Sequence, residues 1–475
     1  MKKLLALFLA FVFVIALVGC GGSKREPIQL TLSTEDAAAI MAAAGINLPD
    51  ISEAAGANQT ITYFYYYDDF HNYSEDEIVQ TGYWTFQNKY NGNVEWIETT
   101  WETLRTDLAQ LVLTNNSPDF TKAWESEFPT SFINQLYAPV DDYIDYDDPL
   151  WGDMKHFSET YFSIGGHHYM FLTDIQNNSL VLYNRRVFTE YGFDDPAELY
   201  YNDQWTWDVM YEMCADFCDP DDGRYAFNGW HTDDSFLSST GIYLVELDTE
   251  TGKFISKIDD PRIERAVSVL ADFSKNDFYY PIWHDWTPYY GNEHGGMKEG
   301  MVLFGLAPAY SLDEIVSYED GAAIYGDFET EVMICPVPRD PNGDGEYYVD
   351  AIPKGYLLVK GAEHPEAVAL LAACERFKIM DPTVIRVDER QKIEKLHWTD
   401  EMLDMWNNLY DIAHSHNTLV QYSNLGNVSG YVGNLVGFDN LESPSTWAEL
   451  KEANKDALQA ALDELNAQLA SELES

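Results

Sequence analysis

The residues best placed to do chemistry are acids set beside aromatic side chains. Tyr65-Tyr66-Tyr67-Asp68-Asp69 runs off the end of a predicted strand, and Trp124-Glu125 and Trp283-His284-Asp285-Trp286, with Tyr289-Tyr290 just beyond, fall in predicted loops. A flat ring packs against an apolar C–H face, and Asp, Glu or Asn exchanges hydrogen bonds with hydroxyls. That pairing suits a small polyhydroxylated ligand in an apolar pocket with a few placed polar groups. Any one Tyr or Trp is more often core, so the clustering carries the inference. Two carboxylates facing across a sugar could instead cleave it. With 80 acidic residues in the chain, finding such a pair means nothing by itself.

Other chemistries find little support. Asp340-Pro-Asn342-Gly-Asp344-Gly345 matches the first half of a calcium loop, but Ala351 stands at the twelfth position, where a bidentate Glu is needed. An ordinary Asp-Gly turn is the favoured reading there, with calcium at Asp340, Asn342 and Asp344 as the alternative. His167-His168 and His414-x-His416 lack carboxylates at metal-site spacing and read as surface or hydrogen-bonded histidines. Cys214 and Cys218 lie four apart on a predicted helix, a poor disulfide geometry. With Cys335 and Cys374 they read as buried thiols. Gly252-Lys253 is followed by Phe, so there is no phosphate-binding loop. Gly426-Asn-Val-Ser429-Gly430 has the wrong spacing for a nucleophile elbow, and no H-E-x-x-H exists. No cofactor is expected.

Charge narrows the partners. The 475 residues carry 28 Lys plus Arg against 80 Asp plus Glu, a formal net charge of −52. Such a chain repels phosphate backbones and anionic lipid, so nucleic-acid binding is excluded, whereas neutral or cationic ligands stay open. Aromatics at 15% rule out a wholly disordered chain. The N-terminus reads as an address. Met1-Lys2-Lys3 precedes an apolar run over 4–18, too short to span a membrane comfortably, and Leu17-Val18-Gly19-Cys20 follows. This resembles the lipobox of bacterial lipoproteins, which implies a signal peptide over 1–19 and lipid on Cys20. A plain signal peptide or an uncleaved anchor is the alternative. Residues 20–58 read as a flexible tether, with Ser33 to Asp36 able to cap a short helix.

The elements that must position these residues alternate. Ile61–Tyr67 is a β-branched and aromatic strand, 77–90 a helix, 94–99 a strand, and 101–113 a helix with an apolar stripe. Strand, helix, strand, helix predicts a parallel α/β sheet. Further on, Leu180–Tyr183 is a strand and Arg185–Tyr191 a helix stopped by Gly192. Thr206 and Asp260-Pro261 open helices, 243–256 forms a hairpin, His364-Pro365 opens another helix, and a polar amphipathic helix runs from Ser445 to the end.

The order of short motifs is similar to that of family 1 extracellular solute-binding proteins, the maltose-binding-protein-like receptors of ABC importers. Leu108 to Asp119 (LAQLVLTNNSPD) resembles their helix-to-strand step. Tyr137-Ala-Pro-Val-Asp-Asp-Tyr-Ile144 is similar to their Leu-x-Pro-Leu-Asp stretch. Tyr183-Asn184 through Phe188, Tyr191-Gly192, Asp195-Pro196 and Trp205-Thr206-Trp207 match a further run. Lys298-Glu-Gly300-Met301, Pro336-Val-Pro338 and Gly355-Tyr356 through Ala367 complete it. Val302 departs from the Ala-Met usual near that point.

The resemblance implies a two-lobed α/β fold of the type II periplasmic-binding-protein kind, with discontinuous lobes, a hinge and a ligand cleft between them. On this reading the N-terminal lobe spans 59–172 plus about 350–420, and the C-terminal lobe 173–340 plus about 421–475. The implied function is capture of a sugar or oligosaccharide by hinge closure and delivery to the permease subunits, by a monomer tethered through Cys20 to the outer face of the cytoplasmic membrane. Asp68, Glu125 and Asp174 are expected to take hydroxyls. Trp286 and Tyr310 are expected to stack on sugar rings, with Trp124 and Trp230 also at the ligand. A peptide or cationic solute on the same scaffold remains an alternative, as does a cell-surface glycoside hydrolase. The solute-binding motifs argue against the hydrolase, and no enzymatic activity is expected.

Overall fold

The computed structural model describes residues 30–123, 127–228, 232–279, 296–313, 315, 317–422, 424–436 and 446–473. Two sheets carry the fold. Their strands, in chain order, are β1 (Thr60–Tyr65), β2 (Asn93–Glu98), β3 (Phe120–Lys122), β4 (Met170–Asn177), β5 (Leu180–Asn184), β6 (Tyr225–Asn228), β7 (Val302–Ala307), β8 (Val332–Cys335), β9 (Val349–Leu358) and β10 (Thr418–Leu419).

The first sheet has the order β10-β9-β3-β1-β2, with β4 also paired to β9. β1 runs parallel to β2 and β3, as the alternating strand–helix pattern predicts. β9 is antiparallel to β3 and to β4, so β4 points the same way as β1. The second sheet has the order β8-β5-β7-β6, with β7 parallel to β6 and antiparallel to β5. Its strands Leu180–Asn184 and Val332–Cys335 are buried throughout, the continuous apolar reading of a sheet covered on both faces.

The chain leaves or re-enters the first sheet at three passages. It leaves the first between Asn177 and Leu180, returns before Val349, and leaves again after Leu419. All three passages meet at Asp350. Its carboxylate accepts from Asn178 Nδ2 at 2.7 Å, its amide donates to Ser179 Oγ at 3.1 Å, and the Gln421 backbone faces it from the third. The first passage comes after β4, so Asp174 to Asn177 belong to the first sheet.

The helices Pro382–Glu394 and Asp400–Ala413 straddle the passages. Arg185 holds Glu401 through two bonds of 2.7 Å, Asn408 donates to Tyr200 at 2.7 Å, and Lys392 lies 3.4 Å from Asp313.

Most sequence boundaries hold because their caps do. Asn91 and Gly192 end helices in the left-handed region, while Asn184, Asp195 and Asp260 side chains accept from first-turn amides. Three expectations are corrected. The single helix over 77–90 is two, Glu75–Ile78 and Gly82–Tyr90, because Thr81 caps the second through the Trp84 amide. Gly82 is needed at that start: a Cβ there would meet the Glu375 backbone at 2.3 Å. The next helix begins at Leu104, which leaves Trp101 in the preceding turn.

The third correction concerns the tether. Residues 30–58 lie packed on the body. Ser33 caps the helix Thr34–Ala44, whose Ala37 and Met41 are buried. Arg390 holds the Leu30 carbonyl at 2.8 Å, and Tyr90 holds that of Pro49 at 2.6 Å. Cys20 and the leader lie outside the described residues. Among the described residues no helix is long and apolar enough to cross a membrane.

Candidate functional site

Ligands of open α/β sheets bind beyond the carboxyl ends of the strands. Here the two sets of carboxyl ends converge. Ala307 at the end of β7 pairs with Leu180 at the start of β5. The loop after β7 then bonds back to the end of β4, Ala309 N donating to Asn177 O at 3.0 Å. The carboxyl ends of β4 and β7 therefore meet, and the loop after β1 leaves its sheet at the same edge as β4.

The first-lobe wall is aromatic and charged. Beyond β1, Tyr66 and Tyr67 are half-buried and meet edge-to-face at 4.7 Å. Trp101, from the turn after β2, meets Tyr66 at 5.4 Å and stays 43% exposed. Lys122 at the end of β3 pairs with Asp69 Oδ1 at 3.0 Å, donates to the Tyr67 hydroxyl, and lies 4.6 Å from the Tyr67 ring centre. Tyr63 donates to Asp69 from below. Burial first, then the Asp69 charge, pushes the Tyr63 phenol well above its ordinary range, so it stays a donor.

The expected residues fall in different places. Asp68 is at this wall, but its carboxylate is engaged in shaping the loop: Oδ1 accepts from the Phe70 amide at 3.0 Å, and the carboxylate holds the His71 ring at 2.9 Å. Its neighbour Asp69 faces Lys122 instead. Tyr310, half-buried, opens a short helix after β7, one residue past Ala309.

Asp174 sits apart from Asp68, on β4, 2.8 Å from His414 Nε2 and 3.4 Å from the Tyr410 hydroxyl. Burial opposes its charge, but the His414 hydrogen bond and charge outweigh it and hold the carboxyl below its usual range. Asp174 lines a cavity of about 580 Å³ beside the passages, with Lys354, Asp313, Lys392, Trp406 and Tyr410. Several charged groups of that cavity hold one another: Lys392 pairs with Asp388 at 2.7 Å and Asp313 accepts from Gln176 at 3.0 Å. Trp124, Glu125, Trp230 and Trp286 lie outside the described residues.

Sequence reasoning missed Trp101, placed by its spacing in a helical stripe, and Lys122, which carries no motif. The residues of the calcium alternative are engaged within the protein. Asp340 is buried, with Oδ2 taken by Arg265 Nε at 2.8 Å and Oδ1 by the Asn342 amide at 2.9 Å. Asp344 accepts from Tyr348 at 2.7 Å. Among the described residues no three metal-ligating side chains gather.

Two sheets linked at Asn177–Leu180 and before Val349, with the carboxyl ends of β4 and β7 brought together, define a two-lobed α/β fold. The family model "Bacterial extracellular solute-binding protein" matches residues 69–374, and the chain belongs to that family. Solved structures share the fold at low identity. The GacH receptor of Streptomyces glaucescens, solved unliganded and with acarbose, has a TM-score of 0.57 at 14% identity, over 85% of this chain and 98% of that one. A substrate-binding protein of Listeria monocytogenes in complex with cycloalternan gives 0.58 at 13%, over 87% and 99%. The galacto-N-biose-/lacto-N-biose I-binding protein of Bifidobacterium longum gives 0.59 at 12%, over 87% and 98%. Among curated proteins none matches the sequence significantly.

Proposed function

We propose that this protein captures a sugar or oligosaccharide outside the cell and delivers it, unaltered, to the membrane subunits of an ABC importer. The observation that carries this reading is the wall formed by Tyr66, Tyr67 and Trp101 beside the Asp69–Lys122 pair, at the converging carboxyl ends. Rings there can cover a sugar's C–H face, while the ion pair offers both an acceptor and a donor to hydroxyls. The ligands named for the structural relatives, acarbose, cycloalternan and lacto-N-biose, are of the same chemical class. Lys122 within the wall disfavours a cationic solute.

In this proposal the lobes close over the ligand about the passages at Asn178, Asp350 and Gln421, and capture needs no cofactor. Asp68, Trp124, Glu125, Asp174, Trp230, Trp286 and Tyr310 remain proposed ligand-contacting residues. The protein works as a monomer, held by lipid on Cys20 at the outer face of the cytoplasmic membrane.

The test is a thermal-shift screen of the purified protein against mono- and oligosaccharides, peptides and polyamines, with chromatography of the sugar afterwards. A sugar at about 100 times its dissociation constant stabilises by roughly 2.7 kcal/mol and is recovered intact. Stabilisation by peptides or polyamines alone, or a cleaved glycan, overturns the reading.

A further inference from the structure

His156 and His416 are far apart in sequence and adjacent in space. His156 Nε2 lies 3.2 Å from His416 Nδ1, with ring centres 4.4 Å apart and planes at 73°. His156 stands on the helix Lys155–Tyr161 and is half-buried; His416 is exposed between the helix Asp400–Ala413 and β10. The other nitrogen of His156 is 3.4 Å from Thr160 Oγ1, one turn along the same helix. That contact leaves Nε2 directed at His416.

A zinc–imidazole bond is about 2.0–2.1 Å, so two ligands at the tetrahedral angle stand about 3.3–3.4 Å apart and at a right angle about 2.9 Å apart. The observed spacing falls between those limits. We propose that His156 Nε2 and His416 Nδ1 form a surface site for a divalent transition-metal ion of the zinc class, separate from the ligand cleft.

The surroundings favour the ion. Glu159, three residues on, exerts a negative charge on the His156 ring. Among the described residues no third protein ligand completes the set, so water or an outside ligand fills the remaining positions. The sequence pattern His414-x-His416 is not the chelate: His414 is bonded to Asp174 at 2.8 Å, and its partner in the pattern pairs with His156 instead. An ion there ties the helix Lys155–Tyr161 to the segment that enters the third passage.

The test titrates the untagged protein with zinc chloride, reading the melting temperature, and with Co2+, reading the visible ligand-field absorption. Wild type gains melting temperature with zinc and develops the cobalt band. His156→Asn and His416→Asn each lose both responses, with at least tenfold weaker cobalt binding, while keeping the native fold by circular dichroism. Absence of both responses in wild type overturns the proposal, and so does their survival in either variant. Because these readouts need no sugar, they stand or fall independently of the transport reading.

Discussion

Asp69, in the loop after β1, and Lys122, at the end of the adjacent parallel strand β3, meet at 3.0 Å with 24% and 26% of their side chains exposed. A solvent-accessible ion pair adds little to folding stability. Its position is better explained by what it presents: an acceptor and a donor held in register beside Tyr67. In a chain with 28 cationic side chains against 80 anionic ones, a lysine at this point also balances the Asp69 charge.

Lys122→Met therefore weakens sugar binding by about 1–3 kcal/mol, the cost of leaving a polar partner unmatched, and shifts the melting temperature little. Calorimetric titration with the sugar found by screening checks both. An unchanged dissociation constant removes Lys122 from the site.

Trp101→Ala tests the aromatic half of the wall. The ring is 43% exposed and lies outside the helix that follows it, so its loss creates no core cavity. Affinity falls about fivefold or more, in line with roughly 1 kcal/mol for a ring contact, while the urea midpoint stays put. A variant that binds as wild type would show that Trp101 stands clear of the ligand.

Much of the fold was legible in the sequence, for local reasons. Caps such as Asn184, Gly192 and Asp260 act through neighbours two to four residues away, so their positions predict helix ends directly. The site was legible only as clusters. Spacing could not tell Asp68, which closes its own loop, from Asp69, which faces Lys122, because that choice is made by a strand 53 residues further on. His156 and His416 were invisible as a pair for the same reason. The packing of residues 30–58 also escaped notice: the segment holds few large apolar side chains and is anchored through its backbone carbonyls.

Gly355 marks where β9 shifts register against β4. Its φ is +146°, and a Cβ there would sit 2.0 Å from the Phe171 carbonyl oxygen. Neither strand can retreat, because β4 and β9 are buried in the first sheet. Gly355→Ala thus costs about 3 kcal/mol or more, a strained backbone plus a displaced strand. Urea denaturation reads the loss; a midpoint within error of wild type would mean the sheet relaxes around the methyl group.

The passages between lobes carry a pH dependence whose sign is fixed by Asp350. Burial, and then the charge of Asp234, pushes the Asp350 carboxyl up to about 7; burial pushes Asp234 up to about 6. The groups around them are the Tyr243 hydroxyl, the Asn178 side chain and Gln421, none of them cationic. In the unfolded chain both acids titrate near 3.9. Between about 4 and 7 the folded protein therefore holds protons that the unfolded chain has released, and its stability falls as pH rises, by up to about 1.4 kcal/mol per pH unit for each proton. Asp350→Asn removes one of these protons and relieves Asp234 of a like charge. The difference in unfolding free energy between variant and wild type should then move in the variant's favour from pH 4.5 to pH 8, measured by urea denaturation at each pH. Parallel curves would show that Asp350 is already ionised in the folded protein and that its charge is compensated by a group other than those facing it.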